Sequence, residues 1–191
     1  TFIRPTKYRA FAASILTSIV KVIYRHEDEL LQECLMHFVA KVCPVLAPHA
    51  TDKEVMNLLN AYIPNLNCSS GVVRRSVAIS LVTLCDHTRR PVQFFCWLLN
   101  NLLNLLSTGK VSSADNTERL FSGIFTVVKF MIPKVMRLMA NNASESAAAS
   151  EISTETHEIM FENLIFIYQH LLTSIKYSSS NVVIVSALEA L

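Results

Sequence analysis

The sequence predicts an all-α fold, an α-solenoid of antiparallel helix pairs with about eight helices. Three observations carry this: apolar residues recur at three-and-four spacing along most of the chain, glycine is nearly missing, and a helix pattern repeats at a shift of about 42 residues. Only three glycines occur in 191 residues, too few for the turns and bulges of an all-β chain. Hydrophobic residues make up 51% and charged residues 17%, a balance that excludes disorder as the main state and requires that much of the helix surface be covered.

Taken in order, a first helix is predicted over 7–24, with a stripe of Tyr8, Phe11, Ile15, Ile19, Val22 and Ile23. The acidic cluster Glu27, Asp28 and Glu29 suits the positive end of a second helix, 27–46, whose stripe is Leu31, Cys34, Leu35, Phe38, Val42 and Val45. Thr51 or Asp52 caps a third, 52–66, burying Val55, Leu58, Leu59, Tyr62 and Leu66. Cys68-Ser69-Ser70-Gly71 is the clearest turn, since small hydroxyl residues cap the helix that follows. That fourth helix, 71–87, carries Val73, Val77, Leu81, Leu84 and Cys85. The fifth, 92–107, is apolar except for a narrow stripe of Gln93, Asn100, Asn104 and Ser107, which predicts a central place in the packing. A sixth, 118–140, presents Phe121, Phe125, Val128, Ile132, Val135 and Met139, with a kink expected at Pro133. These helices form a first stretch, 1–140. The Ala- and Ser-rich segment 141–153 has almost no large side chains and is expected to be a mobile loop and the best internal boundary. A further, truncated helix pair occupies 154–191, and a chain that stops inside a helical pattern is expected to be a segment of a longer protein.

Shifting the fourth helix back by about 42 positions sets Val73 on Leu31, Val77 on Leu35, Leu81 on Val39 and Cys85 on Cys43. Shifting it forward by about 110 sets Val72-Val73 on Val182-Val183 and Ser76 on Ser186, with the Ser-Ser turn recurring. A period near 42 is that of HEAT or armadillo units. In the clearest unit Pro64 bends the first helix, and Val73-Arg74 opens the second. Pro64, Val73, Arg74 and Arg75 are therefore the candidate repeat-motif and interaction residues. The two arginines either contact an acidic partner or serve hydrogen bonding between repeats and a solvated face, the reading their motif position favours.

All but one of the 17 basic residues precede position 141, yet they are dispersed rather than run together, which describes a solvated surface. A nucleic-acid-binding helical repeat is the alternative function and would need these charges aligned along one face. Five cysteines at irregular spacing read as reduced, buried thiols, which places the chain in the cytosol or nucleus. Cys34 with His37 lacks a second ligand pair for zinc, and Cys85 with His87 points to different helix faces. Phe94, Phe95 and Trp97 read as core. The segment 91–109 has the length of a membrane span, but its asparagines and amphipathic neighbours favour a buried repeat helix. No catalytic, cofactor-binding or metal site is predicted, and the chain is expected not to be an enzyme.

The stretch Val55–Leu106, with Arg74-Arg75-Ser76, Cys85-Asp86-His87-Thr88-Arg89-Arg90 and Phe95-Cys96-Trp97-Leu98-Leu99-Asn100, resembles the amino-terminal HEAT domain of the huntingtin family. The resemblance returns at Asn181-Val182-Val183 and Ala187-Leu188-Glu189. It implies a non-enzymatic scaffold segment in a large cytoplasmic protein tied to vesicle and axonal transport and selective autophagy. The partners it implies are other proteins, among them a TPR-like α-helical associated protein, and the remainder of the parent chain.

Overall fold

The computed structural model describes residues 5–25, 28–108, 114–144 and 154–191. Among the described residues every regular element is helical: α1 Pro5–Arg25, α2 Glu29–Leu46, α3 Asp52–Tyr62, α4 Gly71–Asp86, α5 Pro91–Thr108, α6 Ala114–Ser144, α7 Thr154–Tyr177 and α8 Asn181–Ala190. The fold class is the one the periodicity implies. Short 3-10 turns, Ala47–His49 and Ile63–Asn67, follow α2 and α3. Each begins with a proline at its first or second position, where the missing N–H leaves no bond unmade. Pro64 thus ends α3 and tightens the chain into a 3-10 turn rather than bending a longer helix.

Helix starts are fixed by side chains the sequence supplies. The Asp28 carboxylate accepts from Leu31 N at 2.8 Å. Thr51 and Glu54 form a reciprocal capping box, Thr51 N donating to Glu54 Oε2 at 2.7 Å and Glu54 N to Thr51 Oγ1 at 3.3 Å. Ser70 accepts from Val73 N and Ser180 from Val183 N, so the Ser-Ser turns 110 residues apart cap α4 and α8 in the same way.

The chain divides into two units, Thr1–Arg89 and Arg90–Leu191, with the boundary just ahead of Pro91. In the first, α3 stacks on α1 and α4 on α2 more extensively than either pair's own helices meet. The second follows the same rule, α7 on α5 and α8 on α6. Each unit therefore holds two helix pairs in two layers, first helix on first and second on second. Stacked helices run parallel, start beside start: Ser80 Oγ donates to Met36 O at 2.9 Å, and Arg89 Nε to Pro48 O at 2.7 Å, separations of 44 and 41 residues. These bracket the repeat seen in the sequence.

Between the layers of the first unit lie Ala12, Leu16, Ile19 and Ile23 of α1, Met36, Val39 and Cys43 of α2, Val55, Leu58, Leu59 and Tyr62 of α3, and Val73, Val77, Leu81, Leu84 and Cys85 of α4, all buried. Each fully buried Leu, Ile or Val contributes about 1.5–3 kcal/mol. The stripes expected on α3 and α4 are the buried ones. Those expected on α1 and α2 are rotated by about one residue: Phe11 is 60% exposed, Phe38 49% and Val45 62%. Both helices are apolar on two faces, and spacing alone does not say which face meets the next pair.

In the second unit α5 buries Val92, Phe94, Phe95, Leu98, Leu99, Leu102 and Leu106, and α6 buries Leu120, Ile124, Phe125, Val127, Val128, Met131 and Val135. α6 contains Pro133 and continues through Ser144, so the segment 141–153 begins as helix; its residues from 145 onward lie outside the described ones. In α8 the buried stripe is Val183, Ala187 and Ala190, with Leu191 exposed.

Candidate functional site

The turn between α3 and α4 gathers most of the candidate residues. Asn65 Nδ2 donates to Ala61 O at 3.2 Å and Cys68 N to Asn65 O at 3.1 Å, closing the 3-10 turn. Arg74 then reaches back: its Nη1 donates to Cys68 O at 2.7 Å and to Ser69 O at 2.9 Å. Nη1 carries two N–H groups in the fixed plane of the guanidinium, so one nitrogen satisfies two turn carbonyls that the helix ends leave free. Val73, on the neighbouring position, is fully buried, while Pro64 and Arg75 are exposed. Arg75 has an interaction partner of its own. Arg74 therefore clamps the turn inside one helix pair, and other residues carry polar bonds between the stacked helices.

Those residues are the polar bonds between stacked helices. Besides Ser80 to Met36 O, Asn163 Nδ2 donates to Asn100 Oδ1 at 2.8 Å between α7 and α5. Ser122 and Ser186 hydroxyls meet at 2.9 Å between α6 and α8, and Lys129 Nζ reaches Glu189 Oε2 at 3.0 Å. Each fixes one axial position of a helix against an apolar neighbour that would otherwise slide, because a slip leaves a polar group unpaired. The sequence marked Asn100 and Ser186 as a polar stripe position and a repeat match; their partners, more than 60 residues away, carry no local signal.

Burial pushes the Cys43 thiol up to about 12, and Cys85, fully buried with Cys43 and Asp86 nearby, is raised further. A thiol so held stays protonated and unreactive at neutral pH. His87 sits at the end of α4 with Nδ1 2.9 Å from Thr83 O, a helix-end contact. Cys34 is exposed on α2. Among the described residues no group of three or more His, Cys, Asp and Glu side chains is placed to hold a metal. Phe94 and Phe95 are core, and Trp97 is half-buried. By length and composition the segment Leu30–His49, rather than α5, has what a membrane-crossing helix needs. In the fold it is the second helix of the first pair and places Met36, Val39 and Cys43 in the interior.

Helix pairs stacked layer on layer, with a proline-started turn and an arginine clamp, define a helical-repeat protein of the HEAT class. The family model "Huntingtin, N-terminal HEAT 1" matches residues 1–90. Huntingtin of Takifugu rubripes is 30% identical over 190 residues, 99% of this chain and 6% of its own length. The HD protein homolog of Dictyostelium discoideum is 26% identical over 147 residues, 72% of this chain and 5% of its own length. The chain is a huntingtin-like segment, similar to the amino-terminal HEAT region of these proteins, and spans about one-twentieth of these relatives' length. The crystal structure of an engineered protein overlaps 92% of this chain and 77% of its own at 12% identity, with a TM-score of 0.36, too low to bear on the fold.

Proposed function

We propose that this chain is a non-enzymatic scaffold segment whose stacked helices bind other proteins, within a large cytoplasmic protein that serves vesicle and axonal transport and selective autophagy. The partners include a TPR-like helical protein and the adjoining parts of the parent chain. The observation that carries the reading is the set of large apolar side chains left in the open on outer helix faces, among them Phe38 at 49%, Phe161 at 56% and Leu188 at 55% exposure. Monomeric proteins seldom expose such side chains in contiguous patches, and where they do the patches mark contact sites for other proteins. The likeness to huntingtin supplies the direction towards transport and autophagy.

Affinity capture with the full-length parent, and with the equivalent of this segment deleted, tests the proposal. Loss of vesicle-transport and autophagy proteins on deletion is the expected result. An unchanged set of partners contradicts it, as does a salt-dependent affinity of the segment for nucleic acid.

A further inference from the structure

The turns that open α4 and α8 are built alike, except for one side chain. Cys68-Ser69-Ser70 and Ser178-Ser179-Ser180 stand 110 residues apart, and Ser70 and Ser180 cap their helices through the same bond, from Val73 N and Val183 N. In the first turn the guanidinium of Arg74 binds the carbonyls of Cys68 and Ser69. The same shift sets Ile184 in the place of Arg74, and an isoleucine side chain has no donor to offer the carbonyls of Ser178 and Ser179.

A pocket of about 440 Å³ opens at this second turn, where the start of α6, the end of α7 and the start of α8 converge inside the second unit. Glu118, Phe121, Tyr177 and the three serines line it. Its walls come from both helix pairs of the unit, so it is internal to the stack and not part of an outer flank. The electrostatics favour a cation. The Glu118 carboxylate is half-buried and, among the described residues, has no hydrogen-bond or ion-pair partner. The last turn of α7 adds carbonyls of partial negative charge. Donors that would draw an anion are already engaged: Ser180 N reaches Ser178 Oγ at 3.1 Å, Val183 N reaches Ser180 Oγ, and Ile184 N reaches Ser180 O at 3.0 Å. Lys176 opposes an incoming cation, but it is exposed, and its ammonium lies over the Tyr177 ring at 5.0 Å, the kind of contact a guanidinium also makes.

We propose that this pocket binds an arginine side chain of a partner protein, which supplies from outside the guanidinium that Arg74 supplies to the α3–α4 turn from within. The guanidinium pairs with Glu118, its remaining N–H groups reach the Ser178 and Ser179 carbonyls, and its methylenes cover the Phe121 and Tyr177 rings. A planar set of donors matches a carboxylate and two turn carbonyls where an ammonium does not. The source of the arginine rests on the protein-binding reading above, whereas the pocket does not, so the titration below and the affinity capture above can fail separately.

Amide NMR of the 191-residue chain, titrated with a capped tripeptide holding arginine between two alanines, reads the outcome. Saturable shifts are expected at Glu118, Tyr177, Ser178 and Ser179, and none with the citrulline counterpart, which keeps the shape and loses the charge. Glu118→Gln is expected to weaken binding by about tenfold or more, because a charged pair becomes a neutral one. Ile184→Arg places the clamp within the chain and is expected to raise Tm and to block the peptide. No saturable shift at millimolar peptide overturns the proposal, as do shifts centred away from the pocket. Equal binding of the citrulline or lysine counterpart, or undiminished binding by folded Glu118→Gln, overturns it too. Methylguanidine binding as tightly as the peptide would mark a site for a free small cation and overturn the assignment to a protein side chain.

Discussion

Tyr62 closes α3 with its side chain fully buried, and its hydroxyl has no hydrogen-bond partner. Burial raises its pKa, with the neighbouring Cys43 adding to the effect, so the phenol stays neutral and gains nothing from ionising. A buried unsatisfied hydroxyl costs about 1–3 kcal/mol relative to its hydrated state in the unfolded chain. Tyr62→Phe removes that cost and keeps the ring in place. The opposing term is the small void left by one oxygen: about 10 Å³ at about 24 cal/mol per Å³ is about 0.2 kcal/mol. The desolvation term wins, and the variant is expected to be more stable by about 1 kcal/mol, which raises Tm by about 2–4 °C in a chain of this size. Urea denaturation and a thermal scan at pH 7, wild type beside variant, measure it. A variant destabilised by 1 kcal/mol or more would show that the hydroxyl is satisfied, by an enclosed water or by a neighbour, and would refute the reasoning.

Val77→Asp removes a fully buried side chain and buries a carboxylate without a partner, so it is expected to cost more than about 4 kcal/mol, against under about 1 kcal/mol for Arg75→Ala on the surface. Equal melting temperatures would contradict the register of α4. Arg74→Ala frees two turn carbonyls that water can reach, for an expected loss of about 1–2 kcal/mol, and Arg74→Lys should recover less than half, because an ammonium is more strongly hydrated and lacks the planar, preset direction of the Nη1 donors; full recovery in denaturation experiments would show that charge alone suffices. Stability should also fall in alkali. The Cys43 thiol titrates near 12 when folded and near 9.0 otherwise, so its contribution is complete below about pH 9 and declines at about 1.4 kcal/mol per pH unit above it. Cys85 acts in the same direction, and Cys43→Ala should flatten the decline between pH 9 and 11 in urea titrations.

What the sequence disclosed depended on how far apart the deciding residues lie. The α3–α4 pair was legible because its signals are local: the Thr51 and Glu54 box, the Ser70 cap and single apolar stripes at three-and-four spacing. α1 and α2 misled because each carries two apolar faces. The stripe of Phe11 and Phe38 is as regular as that of Leu16 and Val39, and only the position of α3 and α4 decides which one is buried. The clamp that Arg74 makes was not legible, since aiming its guanidinium at the Cys68 and Ser69 carbonyls depends on the shape of the turn. Asn100 with Asn163 and Ser122 with Ser186 were out of reach, because neither residue type nor spacing links positions 63 and 64 residues apart.

The central claim is that alternate helices stack, second on second and first on first, in a fixed register. Ser122 and Ser186 test it most directly, since their hydroxyl oxygens stand 2.9 Å apart on α6 and α8. In a chain with its five native cysteines replaced by alanine or serine, Ser122→Cys with Ser186→Cys should close a disulfide on mild oxidation, because the two side chains already lie within bridging reach. Non-reducing gels should show a faster-running monomer, and peptide mapping should recover the 122–186 link. A control pair placed one helical turn away on α8 should not close. Failure of the 122–186 pair to crosslink while the chain is folded, or equal crosslinking by the displaced control, would contradict the stacked-repeat account.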